Sequence, residues 1–339
     1  MIGIAMFSKS SRHRRLLTGF LFALLALAIY YPSVPGALDF DDYPSVRDNL
    51  SIRTLWPIWD AMWAEKENPL AGRPIPNLSI AVNYAIHGLN PEGYRLVNIA
   101  LHVVCAMLIF AIVRRTLLLA HPDHPVPWLV HCQMATPDDG QTTVASRAYV
   151  LSLLVTLLWL LHPLNSETVA YITQRTELCV ALFLLLTVYC VTRAADSTRP
   201  ARWRLLAVIC CALGMLSKEV MVGAPLLVLF YDRCFIHSTW KETFRRSWLM
   251  YLGLAATWLI LAGIMLSGPR TRSVGFHLGI SVWDYLKAQA ISLAWYLWLC
   301  IWPEGLRLTY WWGPAPTWQR AAPSGLLILM LLGLSLRWL

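Results

Sequence analysis

Leu16–Tyr31, LLTGFLFALLALAIYY, is the stretch that decides what kind of molecule this is. It carries no charge and follows Lys9, Arg12, Arg14 and Arg15, so it reads either as a cleaved secretory signal or as a retained membrane helix. No small-residue cleavage site follows, because Tyr30-Tyr31-Pro32 leads straight into an acidic loop. A retained signal-anchor helix is therefore expected, with the basic tail, residues 1–15, held in the cytoplasm by the positive-inside rule.

The remainder of the chain has the same character. It is 57% hydrophobic and only 14% charged, against about 25% charged in a soluble domain. Further apolar runs approach the roughly 20 residues that a membrane helix needs. They are Leu96–Val113, Tyr149–Leu161, Leu178–Thr192, Leu205–Tyr231, Trp248–Leu266, Trp283–Trp302 and Ser324–Leu336. The run Leu205–Tyr231 is interrupted at Ser217-Lys218-Glu219 and flanked at both ends by Arg and Lys, which requires two short helices or a re-entrant pair turning at Lys218. The fold class expected is an all-α polytopic membrane protein with about 8–10 membrane helices. It reads as one membrane domain over 1–339, with no soluble domain after the last span.

Charge and cysteine use exclude several classes. The net charge of +9 comes from short basic loops that set topology, so nucleic acid is not an expected partner and the lipid bilayer is. Most of the eight cysteines lie in apolar runs as small hydrophobes, and no disulfide is expected. His121, His124, His131 and Cys132 sit in the loop 118–147, which is cytoplasmic by parity, and their spacing suits a metal poorly.

Parity places residues 32–95 outside, as a large first extracytoplasmic loop holding eight of the 19 acidic residues. Within it, Leu55–Ala64 and Asn77–His87 are compatible with helices lying along the membrane surface. The loop begins with Leu38-Asp39-Phe40-Asp41-Asp42-Tyr43. The stretch from His162 to Arg175 and the pair Lys218-Glu219 fall on the same face. Ionisable groups near membrane depth are costly, and three such clusters on one face point to one site.

The chemistry these residues suit is group transfer. Asp41 and Asp42 are candidate general bases for an acceptor hydroxyl. Arg73, Arg175 and Lys218 are candidate cations for a departing phosphate; His162, Glu167 and Glu219 complete the candidate substrate contacts. Solvated-loop, helix-capping and interface-packing readings stand beside each of these roles. On the extracytoplasmic face the activated donor within reach is a lipid phosphate carrying a sugar. Two adjacent carboxylates leave a divalent cation, Mg or Mn, open beside a displacement assisted by Arg and Lys alone.

Five motifs in order resemble a known family. They are Phe40-Asp41-Asp42; Gly72-Arg73-Pro74 through Asn83-Tyr84-Ala85 and Gly93–Asn98; His162-Pro163-Leu164-Asn165-Ser166-Glu167 with Arg175; Leu216-Ser217-Lys218-Glu219; and Gln289, Tyr296-Leu297 and Trp302-Pro303. Together they are similar to the membrane domain of the transmembrane and tetratricopeptide-repeat-containing O-mannosyltransferases and their bacterial relatives. The resemblance implies the GT-C fold, a polyprenyl-phosphate sugar donor, a protein or glycan acceptor and an aspartate base at Asp41 or Asp42. It also implies inversion at the anomeric carbon and a bacterial inner membrane rather than the endoplasmic reticulum. The chain departs from the family pattern at Thr309-Tyr310, where relatives carry an acid, and at Gln174, and the repeats are absent. A transporter or flippase of lipid-linked sugars, and a non-catalytic homologue, are the competing readings.

Overall fold

A computed structural model describes residues 2–119, 141–237, 239–269, 279, 281–307, 310 and 316–337. Within them the chain is helical and irregular, with no strand. His121, His124, His131, Cys132 and Thr309 lie outside the described residues.

The elements follow the hydropathy pattern closely. In chain order the helices are α1 (Ile2–Tyr30), α2 (Ile58–Met62), α3 (Pro74–His87), α4 (Pro91–Leu119), α5 (Gln141–Leu160) and α6 (Asn165–Ala170). They continue with α7 (Arg175–Asp196), α8 (Pro200–Met215), α9 (Ala224–Phe235), α10 (Trp240–Leu266), α11 (Val282–Leu299) and α12 (Trp318–Arg337). Five segments are long and apolar enough to cross a bilayer unaided: His13–Ser33, Pro91–Leu119, Ile172–Asp196, Trp240–Leu266 and Trp318–Arg337. Helix α5 contributes a shorter apolar segment, Val144–Leu160. The protein is a multi-pass membrane protein.

The break at Lys218 is where the sequence places it. Helix α8 stops at Met215, a 3-10 turn covers Glu219–Gly223, and α9 starts at Ala224 with Pro225 in its first turn. Proline is tolerated there because the first N–H groups of a helix have no partner within the helix.

Two apolar cores hold the membrane helices together. In one, Phe22 and Ala26 of α1 meet Ile99, Ala106 and Phe110 of α4 and Leu160 of α5. In the other, Val188 and Val191 of α7 pack with Ala207, Cys211 and Met215 of α8, Val228 of α9 and Leu254 of α10. Helix α7 touches both groups and is the central post. Helices α11 and α12 pack chiefly on each other.

A third, smaller core lies under the first loop, where Val46, Ile52, Ala61 and Leu70 cover Ile80 of α3, Tyr94 of α4 and Ile172. Buried amides stitch it. Asn49 Nδ2 donates to Asn77 Oδ1 (3.0 Å), and Asn77 Nδ2 donates to Ser51 Oγ and to the Ala61 carbonyl (both 2.9 Å). Backbone bonds clamp the loop to the membrane helices, from Glu67 N–H to the Pro269 carbonyl (3.0 Å) and from Ile75 N–H to the Leu216 carbonyl (3.2 Å). Gly72 makes this clamp possible, with φ +74° and a position where a Cβ would stand 2.8 Å from Pro269 Cγ. Gly72→Ala combines a left-handed backbone with overpacking, and a loss of about 1–3 kcal/mol is expected. Thermal unfolding in lipid checks it; an unchanged midpoint would contradict the clamp.

Candidate functional site

The acidic turn is built locally before it meets the rest of the protein. Phe40 sits at φ 38°, a conformation that non-glycine residues adopt at a cost. Its N–H donates to Asp39 Oδ1 (3.0 Å), and Asp42 N–H donates to the Asp39 carbonyl (2.8 Å). The resulting tight bend sends the next two side chains to different environments. Asp42 is fully buried, whereas Asp41 and Phe40 are exposed.

The stretch between α6 and α7 receives both aspartates. Asp42 Oδ1 accepts from Thr173 N–H (2.9 Å) and from Thr173 Oγ (2.8 Å). The N–H of Asp41 donates to the Tyr171 hydroxyl (2.7 Å). Burial raises the Tyr171 hydroxyl pKa to about 12, so it stays protonated. Desolvation also pushes the Asp42 carboxyl above its ordinary value, against the opposing pull of the Thr173 hydrogen bonds.

That shift has a sign. An acid whose folded pKa exceeds its unfolded one favours folding most when protonated. Its contribution is therefore greatest below about pH 4 and falls as pH rises through the raised folded value. Asp42→Asn keeps an oxygen for Thr173, and it is expected to flatten this decline in thermal midpoint from about pH 4 upward. Parallel curves for the two proteins would contradict it.

Below this turn lies Arg175, the first residue of α7 and 0% exposed. Its guanidinium faces neutral acceptors. These are Asn98 Oδ1, Ser79 Oγ (3.0 Å), Asn83 Oδ1 (3.0 Å) and the Tyr94 carbonyl (2.8 Å). Asn98 Nδ2 reaches on to the carbonyls of Val169 (3.2 Å) and Tyr171 (3.3 Å). Arg95 donates to the Ala170 carbonyl (3.0 Å) and to the carbonyls of Val34, Gly36 and Ala37. One polar network thus joins α3, α4 and α7 to the segment that holds the aspartates.

Two ion pairs tie the helix break to the same region. Lys218 Nζ meets Glu177 of α7, and Arg73 meets Glu219 (3.1 Å). Lys218 and Glu219 point in different directions, as adjacent residues do, and each takes a partner distant in sequence.

Beside these groups opens a cleft of about 840 Å³. Its polar lining is Asn165, Glu167, Gln174, Glu177, Arg307 and Tyr310. Its apolar lining includes Leu178, Ala181 and Leu184 along α7 and Ala224 and Leu227 of α9. The segment from Glu167 to Gln174 borders the cleft at its two ends and carries the aspartates' partners between them. Tyr171 and Thr173 hold the aspartates, while Glu167, which accepts from Gln174 Nε2 (2.9 Å), faces the cleft.

Comparison with known proteins matches this region to a family described as dolichyl-phosphate-mannose-protein mannosyltransferase, over residues 144–266. The chain is 26% identical over 247 residues to the protein O-mannosyl-transferase Tmtc3 of Drosophila melanogaster, covering 67% of this chain and 25% of that protein. It is 27% identical over 268 residues to human TMTC2, covering 74% and 28% respectively. With mouse TMTC4 it shares 28% over 221 residues, covering 60% and 27%. The chain is similar to the TMTC O-mannosyl-transferases. It spans about a quarter of the length of the relatives it matches. No solved structure matches it.

Within this TMTC-like frame the sequence-derived candidates sort by position. Glu167 lines the cleft itself. Lys218 reaches it through Glu177, and Arg73 and Glu219 form the next layer. Arg175 is enclosed in the protein, with its donors on neutral acceptors. His162 is a tether: its Nδ1 accepts from Leu164 N–H (3.2 Å) and its Nε2 lies 3.1 Å from the Cys300 carbonyl at the end of α11. Of the two aspartates, Asp42 is buried with Oδ1 held by Thr173, and Asp41 is exposed. No group of three or more His, Cys, Asp or Glu side chains suits a metal ion among the described residues.

Sequence reasoning missed Tyr171, Thr173, Glu177 and Arg307. Glu177 carried a usable signal, an acid immediately before an apolar run where a cation is needed for balance. Tyr171 and Thr173 carried none, because their partners lie 130 and 131 residues earlier.

Proposed function

We propose that the chain transfers a sugar, mannose by likeness to its relatives, from a polyprenyl-phosphate carrier to an acceptor hydroxyl on the extracytoplasmic face, with a protein side chain as the acceptor. The observation that carries this reading is an exposed carboxylate, Asp41, bonded through its N–H to Tyr171 on the segment whose Glu167 and Gln174 line a cleft of mixed polar and apolar residues. The apolar lining suits the first isoprene units of the carrier, and the polar lining suits its phosphate and sugar.

In this reading Asp41 accepts the proton of the acceptor hydroxyl as that oxygen attacks the anomeric carbon. The bond from the anomeric carbon to the phosphate oxygen breaks, and polyprenyl phosphate leaves with the negative charge. Asp42 does not touch substrate: its bonds to Thr173 set the angle at which Asp41 is presented. Lys218 and Arg73, each already beside a carboxylate, supply positive potential for the departing phosphate, and Arg307 adds a guanidinium on the cleft wall. Arg175 positions the helix ends that carry these groups. No step runs through a divalent cation.

Donor choice tests the reading. The protein in liposomes is expected to transfer labelled mannose from polyprenyl-phosphate mannose and not from a nucleotide-linked mannose of equal concentration. Equal use of both donors would overturn it.

A further inference from the structure

A second cavity, of about 260 Å³, lies at the opposite end of α7. Glu177, at the cleft, and Ala194, at this cavity, are separated by roughly 26 Å along the helix at 1.5 Å per residue. Its polar lining is Arg204, Asp232, His237, Glu242 and Arg246, and Val191, Phe235 and Met250 give it an apolar edge. Helix α10 kinks at Ser247 on its wall.

The acids here are already engaged. Asp232 is 1% exposed, with one oxygen 2.6 Å from His237 Nδ1 and the other accepting from the Tyr251 hydroxyl. Glu242 pairs with Arg246 one turn along α10 (3.1 Å). Arg204 is different. It is partly buried, and it has no ion-pair or hydrogen-bond partner among the described residues. His237 Nε2 likewise has no described partner. A partly buried guanidinium that makes no ion pair or hydrogen bond is costly, and a phosphate satisfies its planar fork of donors. Arg199, Arg202, Lys241 and Arg245 near the same helix ends add a positive field that favours an anion. The apolar edge suits the glycerol and acyl portion of a lipid.

We propose that this cavity binds a phosphate group, presented by an anionic phospholipid of the leaflet on the basic side of the protein. The site stands apart from the transfer reaction above and does not depend on it.

The full chain reconstituted in phosphatidylcholine nanodiscs, with or without phosphatidylglycerol, tests it by thermal midpoint. Phosphatidylglycerol is expected to raise the midpoint of the wild type and of Arg202→Gln, an exposed arginine of the same helix end outside the cavity. The rise is expected to be lost in Arg204→Gln and reduced in Arg204→Lys, which keeps the charge without the fork. An undiminished rise in both Arg204 variants, or an equal loss in Arg202→Gln, would overturn the proposal. A rise with inorganic phosphate equal to that with phosphatidylglycerol, abolished in Arg204→Gln, would overturn the lipid as the source of the phosphate.

Discussion

Arg175→Met is expected to cost about 4 kcal/mol of stability or more, among the largest single-residue effects in the protein. Methionine matches much of the length of arginine but donates nothing. The buried oxygens of Ser79, Asn83, Asn98 and Tyr94 would each lose a donor, at about 1–3 kcal/mol apiece before relaxation. Lysine would not restore them, because a compact ammonium cannot reproduce a planar fork aimed at several acceptors. The damage is expected to spread to the acidic turn, since Asn98 also holds the carbonyls of Val169 and Tyr171. Thermal or detergent denaturation of Arg175→Met and Arg175→Lys checks this. Wild-type midpoints in both would contradict a positioning role and return Arg175 to direct substrate contact.

Asp41→Asn is expected to lower the rate of sugar transfer by about 10²–10⁴-fold, the range that a positioned general base contributes. The side chain is exposed and its anchorage runs through the backbone N–H to Tyr171, so the fold is expected to survive with a change within about 0.5 kcal/mol. The KM for the lipid donor is expected to stay within a few-fold, because in the proposed reaction the base acts on the acceptor hydroxyl. Asp42→Asn is the informative partner, since its amide oxygen still accepts from Thr173 and the turn is retained; a loss of less than tenfold is expected there. Transfer rates at saturating donor check both. Full activity in Asp41→Asn, or a deeper loss in Asp42→Asn, would reverse the two roles.

The course of the membrane helices is legible in the sequence because burial in lipid is dictated by runs of apolar residues. The expected spans at Leu96–Val113, Leu178–Thr192 and Trp248–Leu266 fall inside α4, α7 and α10. The break at Lys218 is legible for the same reason: two basic flanks demand an even number of crossings. Of the helix-compatible pieces Leu55–Ala64 and Asn77–His87, the first contains the shorter α2, Ile58–Met62, and the second falls inside α3, which begins earlier, at Pro74.

Partnership is what one-dimensional pattern does not show. Arg175 reads in the sequence as a cation near the outer end of a span, whereas its acceptors on α3 and α4 lie 77–96 residues away. Asp41 and Asp42 read as equivalent. A backbone bend at Phe40 makes them different, one exposed and one buried, and no composition or spacing signals that bend. Lys218 and Glu219 were legible as residues without a mutual pair, but Glu177 and Arg73 were not legible as their partners.

The most direct test of the account is the anomeric configuration of the product. With polyprenyl-phosphate mannose of known configuration as donor, the single displacement assisted by Asp41 predicts a product of inverted configuration, readable by NMR of the released glycoside. A retained configuration would contradict it, because retention needs two displacements and a covalent intermediate, with a carboxylate as nucleophile and not as base.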